Sequence, residues 1–588
     1  MGIKDILAKY DDPTLKIFDE TDVNSELNRL PGLGEKKLPT EDIGELMAFG
    51  FYEDYQDRNT GWGTYFGPMI VRPNGDGTVS ESPSIRLVTP EMLTYWLGRS
   101  EAAQNPILVA RYSGLVWDFT KYVTEKKPLA TVARIYINAV NRIANERYYK
   151  VEVYVFTKLK RALSIAILLK DKVLISECKN TIIAFENAVS VDNLPGIWGH
   201  AFDMLVFNKQ VELTVSEEKS IIDELEAKLD RLLSFNQPDL INYIWSAQNS
   251  ATRLGDYYRK KSDKAAVKRV ISKFALSSIL ANKDSSVPQI AGNAEEIYKL
   301  YMKYNMKEEA AEMLLKVREH STKVPAEMKR VGAEITIPNE KIKEYLDGMT
   351  SGSLEQSLYR LLITYIPVTE TATKQLQDRF SKAPISYLFT QQLVDNKGRV
   401  ITTIPPLAED FESHLLREIS NDMVIQAIML KILVDNLIDK YGLNSNDILL
   451  MLKECPVIYG SRTKIIERGL DAYFAGDYMV AVHLIVPQIE EAIRNVVELA
   501  GGNVLKESRS GGFHVRTFDD ILRDPIISEA LDPELVNYFK ILFTDQRGWN
   551  LRNNVCHGMT DFEEFNYKTA DRLIHALLCL SFIKEIEE

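Results

Sequence analysis

The sequence predicts a mainly α fold: an irregular helical array followed by a C-terminal helical bundle, with a small β-hairpin insertion near 385–407. Three observations predict it. Apolar residues recur at helical spacing through most of the chain from Thr89 onward. Capping residues and Gly or Pro stops divide those runs into helix-sized pieces. The segment ISYLFTQQLVDNKGRVITTIPPL (385–407) departs from the pattern, with β-branched and aromatic residues around Asp395-Asn396-Lys397-Gly398. That is a hairpin signal whose turn needs a positive φ at Gly398.

The elements follow in order. Residues 1–80 are mixed, punctuated by Gly and Pro in LPGLGEKKLPTED and RPNGDGTVSES. Thr89-Pro90-Glu91 reads as a cap followed by proline at the first helical position. NPILVARYSGLVWDFTKYV then predicts a helix buried on one face. Residues 129–318 read as helical hairpins. Asn293 with Glu296 fits a capping box for AEEIYKLYMKY, Asn305 makes a turn, and KEEAAEMLLKV returns. This pair resembles a tetratricopeptide-like unit, but no fixed period extends across the region, so the array is irregular. Long helices resume through LREISNDMVIQAIMLKILVDNLIDKYG.

In the last stretch, TKIIERGLDAYFAG is a helix ending at Gly476. Asp477 caps DYMVAVHLIVPQIEEAIRNVVELAG, and Pro487 is expected to kink it. A flexible Gly-rich loop, SRSGGFH, comes next. Thr517 with Asp520 starts a short helix, Asp532-Pro533-Glu534 starts another, and NYKTADRLIHALLCLSFIKEI closes the chain. The expected organisation is 1–128 mixed and helical, 129–345 a helical-hairpin array, 346–440 a linking region with the hairpin, and 441–588 a helical bundle.

The 588 residues suggest three to four units at about 150 residues each. No apolar run approaches the ~20 residues that span a bilayer, and MGIKDILAKYDD lacks a signal layout. Ile6 stands where a myristoylation motif wants Ser or Thr, so the expected compartment is cytoplasmic, with no membrane association. A net charge of −12 argues against a general nucleic-acid coat, but not against a local phosphate pocket. Cys178, Cys455, Cys556 and Cys579 are scattered without a CxxC pair, which argues against a disulfide framework or a zinc site. Cys556 is expected to be a small buried thiol. Gly61, Gly63 and Gly67 miss GxGxxG spacing by one residue, and no GxxxxGK[ST], HExxH, EF-hand loop or nucleophile elbow occurs. No cofactor or metal is expected.

The chemistry concentrates in Arg552-Asn553-Asn554-Val555-Cys556-His557. An Arg followed after four residues by His is weak by itself. Among seven histidines about one chance match is expected, and Arg509–His514 is a second instance in the Gly-rich loop. Context separates them, because Arg552–His557 lies in GWNLRNNVCHG between two strongly helical segments. With AYFAGDYMVAVHLIVPQIEEAIRNVVE (472–498), this unit of roughly 150 residues resembles the HEPN superfamily. More narrowly, it resembles the type found in endoplasmic-reticulum-membrane-associated RNA degradation proteins and related bacterial proteins. NPILVARYSGLVW resembles the helical region that often accompanies it.

The resemblance implies a four-to-five-helix bundle that dimerises and cleaves RNA without a metal, with the motifs of two protomers facing one cleft. The family's Arg and His fall on Arg552 and His557, and its polar residue on Asn553. It further implies a bacterial toxin or phage-defence role, with transfer RNA as a first substrate to test and a protein partner on the N-terminal array. The alternative is a non-catalytic HEPN module for dimerisation or nucleotide binding on a protein-binding scaffold.

The spacing fits such use under one condition. Five residues apart on an ideal helix, Arg552 and His557 point about 140° from each other. They converge only if Arg552 precedes regular helix geometry, or if a second protomer completes the site. His is the side chain that titrates near neutral pH, suited to a general base or acid. Arg forks onto phosphate oxygens. Glu490 and Arg494, four apart on one helix face, are either a surface ion pair or the support that orients the Arg–His pair. Trp549 is expected to be a core anchor. Residues 441–588 carry 15 Lys/Arg against 23 Asp/Glu, an acidic surround that would repel bulk RNA.

Overall fold

Helix starts follow the side chains that can satisfy their free amides. A computed structural model describes residues 2–30, 38–55, 63–73, 79–235, 237–329, 336–508 and 511–584. In it Thr89 accepts the Met92 amide ahead of Pro90, Asp477 accepts Val480, Thr517 accepts Asp520 and Asp532 accepts Glu534. The fold is mainly α. The chain divides into two compact units, Met1–His320 and Ser321–Glu588.

The first unit begins with α1 (Ile3–Tyr10), α2 (Glu20–Asn28) and α3 (Thr40–Gly50). Two small antiparallel hairpins follow: β1 (Tyr52–Glu53) with β2 (Phe66–Gly67), and β3 (Ile70–Pro73) with β4 (Val79–Ser82). Then come α4 (Pro90–Ala102), α5 (Pro106–Thr124), α6 (Ala130–Glu146), α7 (Glu152–Leu168) and α8 (Lys172–Val189). The helices α1 to α8, with Phe66 of β2, share one core reaching from Ile3 to Val211, so the expected boundary at 128 falls inside it. α5 is buried on more than one face over its first eleven residues, because α4, α6 and α3 all pack on it. Gly114 permits that approach, since a Cβ there would sit 3.0 Å from both Phe66 and Tyr136.

A second core in the same unit is built from α9 (Val215–Leu233), α10 (Gln237–Lys260), α11 (Lys264–Ala281), α12 (Val287–Lys303) and α13 (Lys307–Ser321). Asn305 takes φ 58° in the turn before α13, as expected. Asn293 does not start a helix. α12 begins seven residues earlier, at a capping box of Ser286 and Gln289 with Pro288 in its first turn, and the mid-helix Asn293 accepts from the Ser278 hydroxyl at 2.7 Å.

The second unit opens with α14 (Val324–Glu327), α15 (Asn339–Met349), α16 (Leu354–Tyr365) and α17 (Thr369–Lys382). The hairpin β5 (Gln391–Val394) and β6 (Val400–Ile404) follows, with Gly398 at φ 71° in its turn. α18 (Phe411–Tyr441), α19 (Ser445–Leu452), α20 (Thr463–Phe474) and α21 (Tyr478–Leu499) come next, α21 running through Pro487. β7 (Leu505–Glu507) pairs with β8 (Phe513–Val515), so the stretch expected to be a flexible loop is a hairpin, with His514 opposite Lys506. Its partner in the second Arg–His spacing, Arg509, lies outside the described residues, as do Gly61 and most of the Gly/Pro punctuation near 31–37 and 74–78.

α22 (Phe518–Leu522), α23 (Pro525–Ala530), α24 (Pro533–Phe539), α25 (Leu551–Cys556) and α26 (Tyr567–Cys579) complete the unit. One core runs from Met349 to Leu580, and Leu430, Leu433 and Leu437 of α18 belong to it together with Ala576 and Leu577 of α26. The expected boundary at 440 therefore lies within a single core. Among the described residues, no helix is long and apolar enough to cross a membrane.

Candidate functional site

GWNLRNNVCHG folds as a tight loop, a turn and a half of helix, and a stop. Asp545 accepts the Arg547 amide at 2.8 Å and its guanidinium at 2.9 and 2.6 Å, which closes the loop. The Trp549 amide donates to the Ile541 carbonyl at 2.8 Å. Gly548 is required there, because a Cβ would lie 2.2 Å from the Ile541 carbonyl oxygen. Trp549 packs half-buried against the core, with its indole N–H toward the Ser420 carbonyl at 3.4 Å. Asn550 adopts the left-handed region (φ 49°, ψ 31°) and accepts from Asn553 at 2.7 Å. Leu551 and Val555 are buried and fix the face of α25. Gly558, at φ 64°, ends it.

Arg552 is the second residue of α25 and His557 is its C-cap. Arg552 is thus inside regular helical geometry, not ahead of it, and the helix start does not bring the pair together. The two side chains have different surroundings. The Arg552 side chain is 22% exposed and meets Glu490 side-on, Nε to Oε2 at 2.8 Å and Nη2 to Oε1 at 3.3 Å. Its Nη1 donates to the side-chain Oδ1 of Asn553 at 3.3 Å. Three of the five guanidinium N–H groups are engaged and two are left for a ligand. The bonds to Glu490 also push the guanidinium further toward its charged form. His557 is exposed and makes no side-chain hydrogen bond among the described residues.

Glu490 and Arg494 do not form a surface pair. Glu490 is buried on α21 and holds two guanidinium groups, Arg552 and Arg494, the latter at 3.0 Å. Arg494 also donates to Glu491, which pairs with Arg462 at 3.3 Å. An alternating chain of charge therefore runs Arg462, Glu491, Arg494, Glu490, Arg552. Charges confined this way support one another through a lower local dielectric than water offers. Sequence reading missed Glu491 and Arg462. Their only local signal was the Glu490-Glu491 pair one turn ahead of Arg494, because the link to Arg552 spans 62 residues of chain.

Cys556 corrects the sequence expectation: it is exposed, while Cys178, Cys455 and Cys579 are buried. It is the last residue of a six-residue helix whose buried side chains are Leu551 and Val555. Partial desolvation pushes its thiol up, and the nearby Arg552 only partly offsets this, so it is not an activated thiolate. No cluster of metal-ligating side chains occurs among the described residues. No family model, curated protein or solved structure matches the chain.

Proposed function

We propose that the second unit is a HEPN-type, metal-independent RNA endonuclease that acts as a homodimer. The observation that carries this reading is the contrast within one motif: Arg552 is fixed by Glu490 with two donors to spare, and His557, five residues on, is exposed and unpaired among the described residues. A fixed guanidinium suits a phosphate that must be held, and an unpaired imidazole suits a proton that must move. In the proposed reaction one imidazole takes the proton of a ribose 2′-hydroxyl and O2′ attacks the adjacent phosphorus. The P–O5′ bond breaks, and the imidazolium so formed returns the proton to the leaving 5′-oxygen. The products are a 2′,3′-cyclic phosphate and a 5′-hydroxyl, and Arg552 stabilises the charge gathered on the phosphate oxygens. Because one α25 separates its two ends, the proposal takes Arg552 and His557 of opposing protomers to meet one phosphate.

The same geometry motivates one alternative. Glu490 already engages Arg552, and no described residue orients His557, as a non-catalytic module for dimerisation or nucleotide binding would allow. The two readings part on one experiment. Full-length protein is incubated with a transfer-RNA pool in EDTA beside Arg552→Ala and His557→Ala. The nuclease reading expects cleavage by the native chain alone. No cleavage, or equal cleavage by the variants, leaves the binding-module reading. A toxin or phage-defence role, with the first unit docking a protein partner, belongs to the proposal as its cellular context.

A further inference from the structure

The first unit holds a charge asymmetry that the motif does not use. In a chain of net charge −12, residues 253–283 carry nine Lys/Arg against two Asp/Glu. Most of these cations are neutralised within the unit. Arg253 pairs with Asp203, Arg259 with Asp256, Lys261 with Glu218, Lys268 with Glu309, Arg269 with Glu226 and Lys273 with Asp230. Lys264 has no such partner among the described residues, and neither does Lys307 at the start of the next hairpin.

Both spare lysines line one cavity of about 560 Å³. It lies where the α10–α11 and α12–α13 turns come together, with Ser262 at φ 60° and Asn305 at φ 58°. Val267, Tyr304 and Met306 supply apolar surface, and Arg259 and Lys303 hold their charges 5.4 and 5.2 Å from the centre of the Tyr304 ring. The lining residues are five cations against Glu308 and Glu309; Lys268 and Glu309 pair with each other and Arg259 and Lys303 share Asp256, which leaves Lys264 and Lys307 against Glu308. The volume suits a small ligand rather than a macromolecular face. The spare cations come from two different helices, so a ligand meeting both must carry negative charge at more than one point.

We propose that this cavity binds a compact polyphosphate group, the triphosphate of a free nucleotide or of an RNA 5′ end. The site is independent of the Arg552–His557 reading and stands or falls without it. Lys264 and Lys307 are each the first residue of a helix, where the helix dipole disfavours a cation. That placement costs the fold and serves an anion.

The probe is inorganic tripolyphosphate, titrated calorimetrically into the full chain without divalent metal. Saturable binding is expected, weakened at least tenfold in Lys264→Glu/Lys307→Glu and unchanged in Lys283→Glu, which lies outside the cavity. Glutamate at a helix start is favoured by the dipole, so the double variant should keep its helical signal and thermal midpoint, and lost binding then reports the site. Competition assigns the source. Displacement by a nucleoside triphosphate alone identifies the nucleotide, and displacement also by 5′-triphosphorylated but not 5′-hydroxyl RNA identifies the RNA end. Absent binding, equal binding by the double variant, or displacement by neither competitor overturns the proposal.

Discussion

His557 and His575 lie eighteen residues apart in the second unit and have opposite settings. His575, on α26, is fully buried between the Tyr538 hydroxyl at 2.9 Å and the Leu362 carbonyl at 3.1 Å. Burial first, and the neighbouring Arg572 second, push its pKa down to about 3, so it is a neutral structural imidazole. His557 is exposed on the motif turn and has no side-chain partner among the described residues. The arginines repeat the contrast. Arg572 is buried and pinned to the Tyr365 and Met423 carbonyls at 2.9 and 3.1 Å, joining α16 and α18 to α26. Arg552 is held by a carboxylate and keeps donors free. Thus the same two residue types serve as core struts in α26 and as partly or fully solvent-exposed side chains on α25 and at its end. Exposure and partner type separate the roles, which residue identity alone cannot do.

Breaking the struts should have the largest effect. Arg572→Ala leaves two carbonyls without their donor and opens a cavity, and should cost about 3–5 kcal/mol in urea denaturation. A cost below that of Arg552→Ala would remove the distinction between the two arginines. The pH response sharpens the comparison further. In the unfolded chain a histidine takes up a proton below about 6.5, while native His575 stays neutral down to about 3. Its contribution to stability is therefore complete above 6.5 and is lost as pH falls through that window. Asp571, pushed up to about 6 by burial, acts in the opposite sense: it is protonated in the native state first, which favours folding as pH falls from 6 toward 3.8. The His575 contribution is thus read as a difference. Between pH 7.5 and 5, His575→Gln should lose about 2 kcal/mol less than the native chain. Parallel pH curves would contradict the assignment.

Smaller effects belong to the motif. A double-mutant cycle of Glu490→Gln with Arg552→Ala should show a coupling of about 1.5 kcal/mol, since both side chains are mostly buried and two hydrogen bonds join them. Independent effects would mean that Glu490 does not position Arg552. His557→Ala should shift the unfolding free energy by no more than about 0.5 kcal/mol, as befits an exposed side chain with no hydrogen-bond partner among the described residues. A large loss there would make His557 another strut.

Much of the fold is legible in sequence because it rests on local chemistry. Thr89, Asp477, Thr517 and Asp532 each accept an amide two or three residues ahead, and Gly398 and Asn305 each supply a positive φ where a chain reversal needs one. Local reading misplaced Asn293 because the Ser286–Gln289 box and Pro288 start α12 two turns earlier. It read SRSGGFH as loose because a three-residue strand pair has too little periodicity to register. The joining of α18 and α26 in one core depends on residues more than a hundred positions apart, and no window shows that. At the site, Glu490 and Arg494 were visible as a helix-face pair. The reach of Glu490 to Arg552, the extension through Glu491 to Arg462, and the exposure of Cys556 are tertiary facts.

The most direct test of the contrast between the two histidines is the end chemistry of RNA incubated with the full chain in EDTA, measured beside His557→Ala. The native protein should give 2′,3′-cyclic phosphate and 5′-hydroxyl ends, and the variant none at an unchanged urea midpoint. Absent cyclic ends, or the same ends from His557→Ala, would contradict it.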